Sequence, residues 1–201
     1  MVSFVLHDQS VDLGPKISYL SELVANCGYP GHAIHTYPLI RREAEYKAEL
    51  SEIRSRLFRA LYLFTIHSEI NFASVIVERK DCPDQASLVI KLSQEIHSFL
   101  VGPMEFFESF DDIHVYYDSG QMTLRNVLLT KFAIDLPRPF ELRKVLPSDY
   151  ALFQVADLGV TLETLRWKVE KGKLTKWEID FFGSKTQLAK SFLRQFGLKR
   201  I

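Results

Sequence analysis

The chain has 201 residues, enough to build one well-cored domain or at most two small ones. Its 47% hydrophobic and 25% charged residues are the proportions of an ordinary globular protein, which excludes a disordered or fibrous chain. Lys and Arg together number 25, as do Asp and Glu, so no global field draws the molecule to nucleic acid or to an anionic membrane. A nucleic-acid role then requires a local basic patch.

The opening run, Met1 to Ser10, has no basic leader, and its apolar stretch is too short for a signal peptide. No apolar stretch approaches the roughly 20 residues of a membrane span. The expected setting is cytoplasmic, without membrane contact. Cys27 and Cys82 stand in no metal or redox spacing and are expected as reduced thiols.

In chain order, Val2 to His7 is rich in strand formers and predicts a strand that ends at Asp8, with Gly14-Pro15 stopping any continuation. Ile17, Leu20, Leu23 and Val24 recur at helical spacing and predict a helix over 16–27, closed by Gly28. Residues 32–37 favour a second strand, closed by Pro38. Tyr46, Leu50, Ile53, Leu57, Leu61 and Phe64 form the apolar stripe of a long helix over about 41–63. The β-branched and aromatic run 70–77 predicts a strand. After the Asp81–Asp84 turn, Leu88, Val89, Leu92, Ile96 and Phe99 predict a helix that ends at Gly102-Pro103. Residues 113–117 predict a strand, 121–132 a helix and 140–145 a strand. Ser148 or Asp149 can cap a helix running to about Lys171, and the tail from 174 reads as one or two amphipathic helices. Alternating strands and helices argue for a layered α/β fold with a substantially parallel core sheet. The expected organisation is a single domain over 1–201, with 174–201 as a helical C-terminal extension.

Three acids stand out. Asp118 follows Ile113-His-Val-Tyr-Tyr117 at the carboxyl end of a strand, the edge where open α/β sheets bind ligands. The competing reading is a turn residue or helix cap, for which Asp118-Ser-Gly120 has suitable chemistry. Asp157 lies in a ten-residue segment, Ala151 to Val160, that is apolar on every helical face except at Gln154 and Asp157, which share one face. A carboxylate buried there needs compensation by a metal ion, an arginine or hydrogen bonds. Asp8 closes the first strand; its competing reading is a solvated loop acid. Carboxylate oxygens suit hard cations such as Mg²⁺ or Mn²⁺.

The segments His7-Asp-Gln-Ser10, Ile34 to Glu43, Val77 to Lys80, Val115-Tyr-Tyr-Asp-Ser-Gly-Gln121 and Leu152-Phe-Gln-Val-Ala-Asp-Leu158 together resemble the bacterial and phage family designated domain of unknown function 3800. The similarity runs over nearly the whole chain, and the Tyr-Asp-Ser-Gly-Gln and Gln-x-Ala-Asp-Leu elements are its most specific parts. It implies a ribonuclease-H-like mixed sheet flanked by helices, with Asp8, Asp118 and Asp157 as catalytic, metal-holding acids. Most members carry Asp-Glu-Ser-Gly in the first motif, where this chain has Asp8-Gln9-Ser10-Val11. By the resemblance, the change removes a residue able to serve as a metal ligand and bears directly on activity.

A fourth carboxylate is sought among Glu43, Glu45, Glu69 and Glu95; the resemblance favours Glu43, and ribonuclease H topology favours Glu95. His35, Arg41, Arg42, Lys80 and Gln154 are candidates for contacting a phosphate or a substrate carboxylate. His32 and His35, three apart in an expected strand, point to opposite faces and are not read as a metal pair. Arg41, Arg42 and the later arginines are read alternatively as the solvated face of an amphipathic helix. The chain lacks the glycine-rich dinucleotide fingerprint, the phosphate loop, the zinc-protease His-Glu-x-x-His and the hydrolase nucleophile elbow. The leading expectation is a metal-dependent nuclease or related phosphoryl-transfer enzyme acting on nucleic acid. The alternative is a catalytically inactive module of the same fold that binds nucleic acid or a partner protein.

Overall fold

A computed structural model describes residues 1–118, 122–136, 138–145 and 150–201, and of Arg79, Asp118, Met122 and Thr123 it describes the backbone alone. The fold is mixed α/β, rich in helix, with two small sheets. It divides into two compact units: a terminal unit, Ser3–Ser74 with Ala151–Ile201, and a central unit, Val75–Tyr150 with Met1–Val2. Among the described residues, no helix is long and apolar enough to cross a membrane.

The terminal unit opens with β1 (Val2–His7), paired with β2 (Ile70–Val75). Between them run α1 (Gly14–Asn26), α2 (Thr36–Arg41), a 3-10 turn (Ala44–Tyr46) and α3 (Ser51–His67). After the central segment, α7 (Ala151–Lys171) is followed by α8 (Lys176–Phe182), α9 (Lys185–Leu188), a π-helical turn (Ala189–Leu193) and α10 (Arg194–Gly197). The last residues join the sheet: Phe72 N–H donates to the Lys199 carbonyl at 2.8 Å, and Ile201 N–H to the Phe72 carbonyl at 3.1 Å.

The core of this unit is aliphatic and aromatic. Leu57, Leu61, Leu158, Leu162 and Phe196 are fully buried, and Phe58 packs edge-on against Phe181, Phe182 and Phe192. At Gly159, α7 lies close against the sheet. A Cβ there would lie 2.1 Å from Phe72 Cε2 and 2.9 Å from Ser3 Oγ, so only glycine lets the helix sit at this depth.

The central unit contains a short 3-10 turn (Arg79–Asp81), α4 (Gln85–Val101), α5 (Met104–Glu108), β3 (Ile113–Asp118), α6 (Met122–Asp135) and β4 (Phe140–Val145). α4 starts where Asp84 accepts the Ser87 N–H at 2.7 Å, a side-chain N-cap. β3 and β4 pair in parallel, with Ile113 opposite Phe140 and Asp118 opposite Val145, and α6 makes the crossover that a parallel pair needs. Ile96, Leu100, Phe107 and Phe132 are buried here.

Three expectations are revised. Gly14-Pro15 does more than end β1: it starts α1, where the missing proline N–H costs nothing, and the Asp12 carboxylate accepts the Gly14 N–H at 2.7 Å. The expected strand at 32–37 is an irregular stretch leading into α2, with Pro38 in the first turn of that helix. The expected long helix from 41 is interrupted, because Arg42 and Ala44 adopt positive φ of 61° and 50°, and regular helix resumes only at Ser51. The expected caps Ser148 and Asp149 lie outside the described residues, as do Ser119, Gly120 and Gln121.

Candidate functional site

The pair that the sequence places on one face of α7 meets the backbone of residues 34–36. Gln154 Oε1 accepts the Ile34 N–H at 2.9 Å, and Asp157 Oδ2 accepts the Thr36 N–H at 2.7 Å. The intervening His35 N–H goes to the Tyr46 hydroxyl at 3.2 Å. Three successive donors are thus satisfied by side chains, and this is why the stretch needs no neighbouring strand. Asp157 sits at the first residue of α2, where a negative charge complements the helix dipole. Of the three forms of compensation its position demands, the described residues supply a hydrogen bond.

The other end of α2 is met by the opposite charge. Arg54, 7% exposed on α3, donates from Nη1 to the carbonyls of Leu39 at 2.9 Å and Ile40 at 3.3 Å. Burial lowers its pKa, with Arg42 adding in the same sense. A helix of six residues cannot hold itself in water, and this one is clamped by a carboxylate at its start and a guanidinium at its end.

Beside the 34–36 stretch lies a polar cluster. Tyr46 is fully buried, and its hydroxyl stands 2.6 Å from His32 Nε2. The same hydroxyl accepts the His35 N–H, and towards a neutral His32 whose Nε2 carries no proton its own O–H is the donor. Burial raises the Tyr46 pKa and lowers that of His32; the Glu45 carboxylate, 3.6 Å from Nε2, opposes the latter shift. Tyr29 donates to Glu49 at 2.8 Å, and burial followed by that bond pushes its phenol to about 12. The rings of His32 and His35 lie edge to face at 6.3 Å.

The remaining candidates are distributed over both units. Arg41 donates to the Tyr37 hydroxyl at 2.8 Å and pairs with Glu43 at 3.1 Å, while Arg42 Nε donates to the Lys47 carbonyl at 3.0 Å. Glu43 is thereby engaged at the C-terminal end of α2. Asp8 is exposed after β1; its Oδ1 accepts the Ser10 N–H at 2.9 Å, which lowers its pKa. It lines an open depression of about 640 Å³ in the terminal unit, together with Glu69, Asn71, Gln195 and Lys199. Glu69 is the fourth-carboxylate candidate that shares a surface with Asp8. In the central unit, Asp118 ends β3, its side chain lying outside the described residues, and Glu95 is on α4. Lys80 is exposed and pairs with Glu78 at 2.7 Å.

The structure therefore gathers Asp157, Gln154 and His35 around one backbone stretch, with Arg41 and Glu43 paired at the far end of α2. Among the described residues, no three His, Cys, Asp or Glu side chains group closely enough to hold a metal ion. Tyr46 and Arg54, which organise the 34–36 stretch and α2, are not marked for this role by the sequence. Tyr46 reads there as one member of an apolar stripe and Arg54 as one of a solvated row. No family model, curated protein or solved structure matches the chain.

Proposed function

We propose that the protein is a metal-dependent nuclease or related phosphoryl-transfer enzyme of ribonuclease-H-like type, using Asp8, Asp118 and Asp157 as its acids. The observation that carries the reading is the β3–α6–β4 unit: its strands are parallel, and Asp118 stands at the carboxyl end of β3. In α/β folds that edge receives the ligand, since loops and helix starts converge there. The motif resemblance supplies the second support, because it assigns the same residue an acid role.

The donors in this reading are carboxylate oxygens, which fit Mg²⁺ or Mn²⁺ in kind. A bound dication would supply Lewis acidity towards a phosphoryl oxygen. The chain's own residues do the positioning. The Asp8 carboxylate accepts the Ser10 N–H, which lowers its pKa further below the neutral range. Gln154 and Asp157 hold residues 34–36, and with them His35 and Arg41, in one arrangement against α7.

A second reading has its own observation. Gln9 stands where the family pattern has Glu, and Asp157 already spends one oxygen on a backbone N–H. Both favour a binding module of the same fold that has lost turnover. The discriminating experiment incubates labelled single- and double-stranded DNA and RNA with the wild type, Asp118→Ala and Gln9→Glu in Mn²⁺ or Mg²⁺. The enzyme reading expects metal-dependent cleavage that Asp118→Ala abolishes and Gln9→Glu raises. No cleavage by either the wild type or Gln9→Glu, with binding retained, selects the module.

A further inference from the structure

We infer that the turn from Lys171 to Trp177, between α7 and α8, is a contact surface for single-stranded nucleic acid; the inference rests on the nucleic-acid reading above and names where the strand is gripped. The neutral net charge of the whole chain hides an uneven distribution. Residues 151–201 carry ten Lys and Arg against five Asp and Glu. Two of those five acids are buried and already matched: Glu163 pairs with Arg166 at 3.3 Å, and Glu178 pairs with Lys168. The excess is therefore presented outward, and it is densest in this turn.

Lys171, Lys173 and Lys176 are all exposed, and among the described residues none of them makes an ion pair. Next to Lys176, Trp177 is 53% exposed, a large apolar area to leave in water. Lys173 lies over the Trp167 ring, 5.0 Å from its centroid, which holds that lysine on one side of the turn. Three lysines beside one open indole supply the two components a single strand requires: cations for phosphates and a flat ring on which an unpaired base stacks.

The turn is built to keep its shape. α7 ends where Gly172 takes φ 65° and the Lys173 N–H returns to the Lys168 carbonyl at 2.8 Å. α8 starts with a capping box, Thr175 N–H to Glu178 Oε2 at 2.8 Å and Glu178 N–H to Thr175 Oγ1 at 3.4 Å. The buried Lys168–Glu178 pair ties the two helices together, and Leu174 packs against the core between the exposed lysines. Contacts held on a fixed turn lose less entropy on binding than contacts on a mobile one. An anionic lipid surface also attracts lysines, but Trp177 and the partly exposed Ile179 offer little apolar area for insertion, whereas stacking on a base needs a single ring.

The test is fluorescence anisotropy of labelled oligo(dT) and oligo(U) titrated with the full chain over a range of salt, in EDTA so that no cleavage intervenes. The proteins are the wild type, Lys171→Gln/Lys173→Gln/Lys176→Gln, Trp177→Ala and Trp177→Phe. Each single-strand phosphate contact contributes about 0.7 to the salt slope, so the triple variant should lower the slope by about 2. Trp177→Ala should weaken binding about five- to hundredfold, and Trp177→Phe should recover part of that. Indole emission should be quenched by the oligonucleotide in the wild type and not in Trp177→Phe, whose only indole is Trp167. The inference is overturned by an unchanged slope in the triple variant, by wild-type affinity in Trp177→Ala, or by absence of oligonucleotide binding. Binding of vesicles rich in anionic phosphatidylserine in place of oligonucleotides overturns it in favour of a membrane. A wild type that cleaves but binds independently of this turn refutes the inference and spares the enzyme reading. Turn-dependent binding without cleavage does the reverse.

Discussion

Asp157 separates a metal ligand from a structural acceptor, because the two roles respond differently to truncation. In the structure its Oδ2 takes the Thr36 N–H at 2.7 Å, at the first residue of α2. Asp157→Ala leaves that donor without its charged partner. A hydrogen bond to an ionised group contributes roughly 1.5–3 kcal/mol, and a carboxylate at a helix start a further ~0.3–1 kcal/mol. Asp157 is half-buried, so water recovers part of this, and about 2 kcal/mol is expected. For a chain of this size the melting temperature should fall by about 4–8 °C. Asp157→Asn keeps an oxygen acceptor and loses only the charge, and should cost about half as much. Both are to be measured by thermal melting in EDTA, with amide exchange at Ile34, His35 and Thr36 followed in parallel. Exchange at Thr36 should accelerate more than exchange at His35, whose N–H goes to Tyr46. A carboxylate kept only for a metal would behave otherwise: without the ion, removing it should be neutral or stabilising. An Asp157→Ala melt within about 1 °C of wild type would refute the capping argument.

Gly159→Ala should destabilise despite the ~1 kcal/mol that alanine adds to helix propensity, because its Cβ would stand 2.1 Å from a Phe72 ring already packed on Phe196. Overpacking typically costs about 1–3 kcal/mol, so after the propensity gain chemical denaturation should find a net loss of up to about 2 kcal/mol; greater stability than wild type would show that α7 can move away. Tyr46→Phe removes the acceptor of the His35 N–H and the donor to His32, and should cost roughly 1–3 kcal/mol in the same assay, with no loss counting against the cluster. His32 is held neutral by burial, its pKa below the usual 6.5, so the unfolded chain takes up that proton first. The stability due to the neutral ring is complete above about pH 6.5 and drains as pH falls from there to the lowered folded value. His32→Gln should flatten that part of the stability–pH curve, and an unchanged slope would assign it to other groups.

The parts of the fold that were legible are those whose information is local. β1, β3 and β4 are bounded by turn residues, α4 carries its cap at Asp84, and α7 ends near Lys171 as its apolar periodicity requires. The stretch at 32–37 misleads because its β-branched and aromatic residues have strand propensity, while its backbone partners are side chains, Tyr46 nearby and Gln154 and Asp157 about 120 positions later. Propensity cannot weigh acceptors that only the tertiary fold brings near. The same holds for the site. That Gln154 and Asp157 share a face follows from helical spacing; what they face does not. Arg54 looked like one of several charges on a solvated helix, and its burial depends on α2, itself the element the sequence hid.

The most direct test of the proposed metal-dependent acid site does not require the substrate to be known. Mn²⁺ is titrated calorimetrically into the metal-free wild type, Asp118→Asn and Gln9→Glu, with circular dichroism confirming that each is folded. The account predicts saturable binding to the wild type, tighter binding to Gln9→Glu because a neutral donor becomes a carboxylate, and loss of binding in Asp118→Asn. Absence of saturable binding in both the wild type and Gln9→Glu, or the same binding in Asp118→Asn, would contradict it.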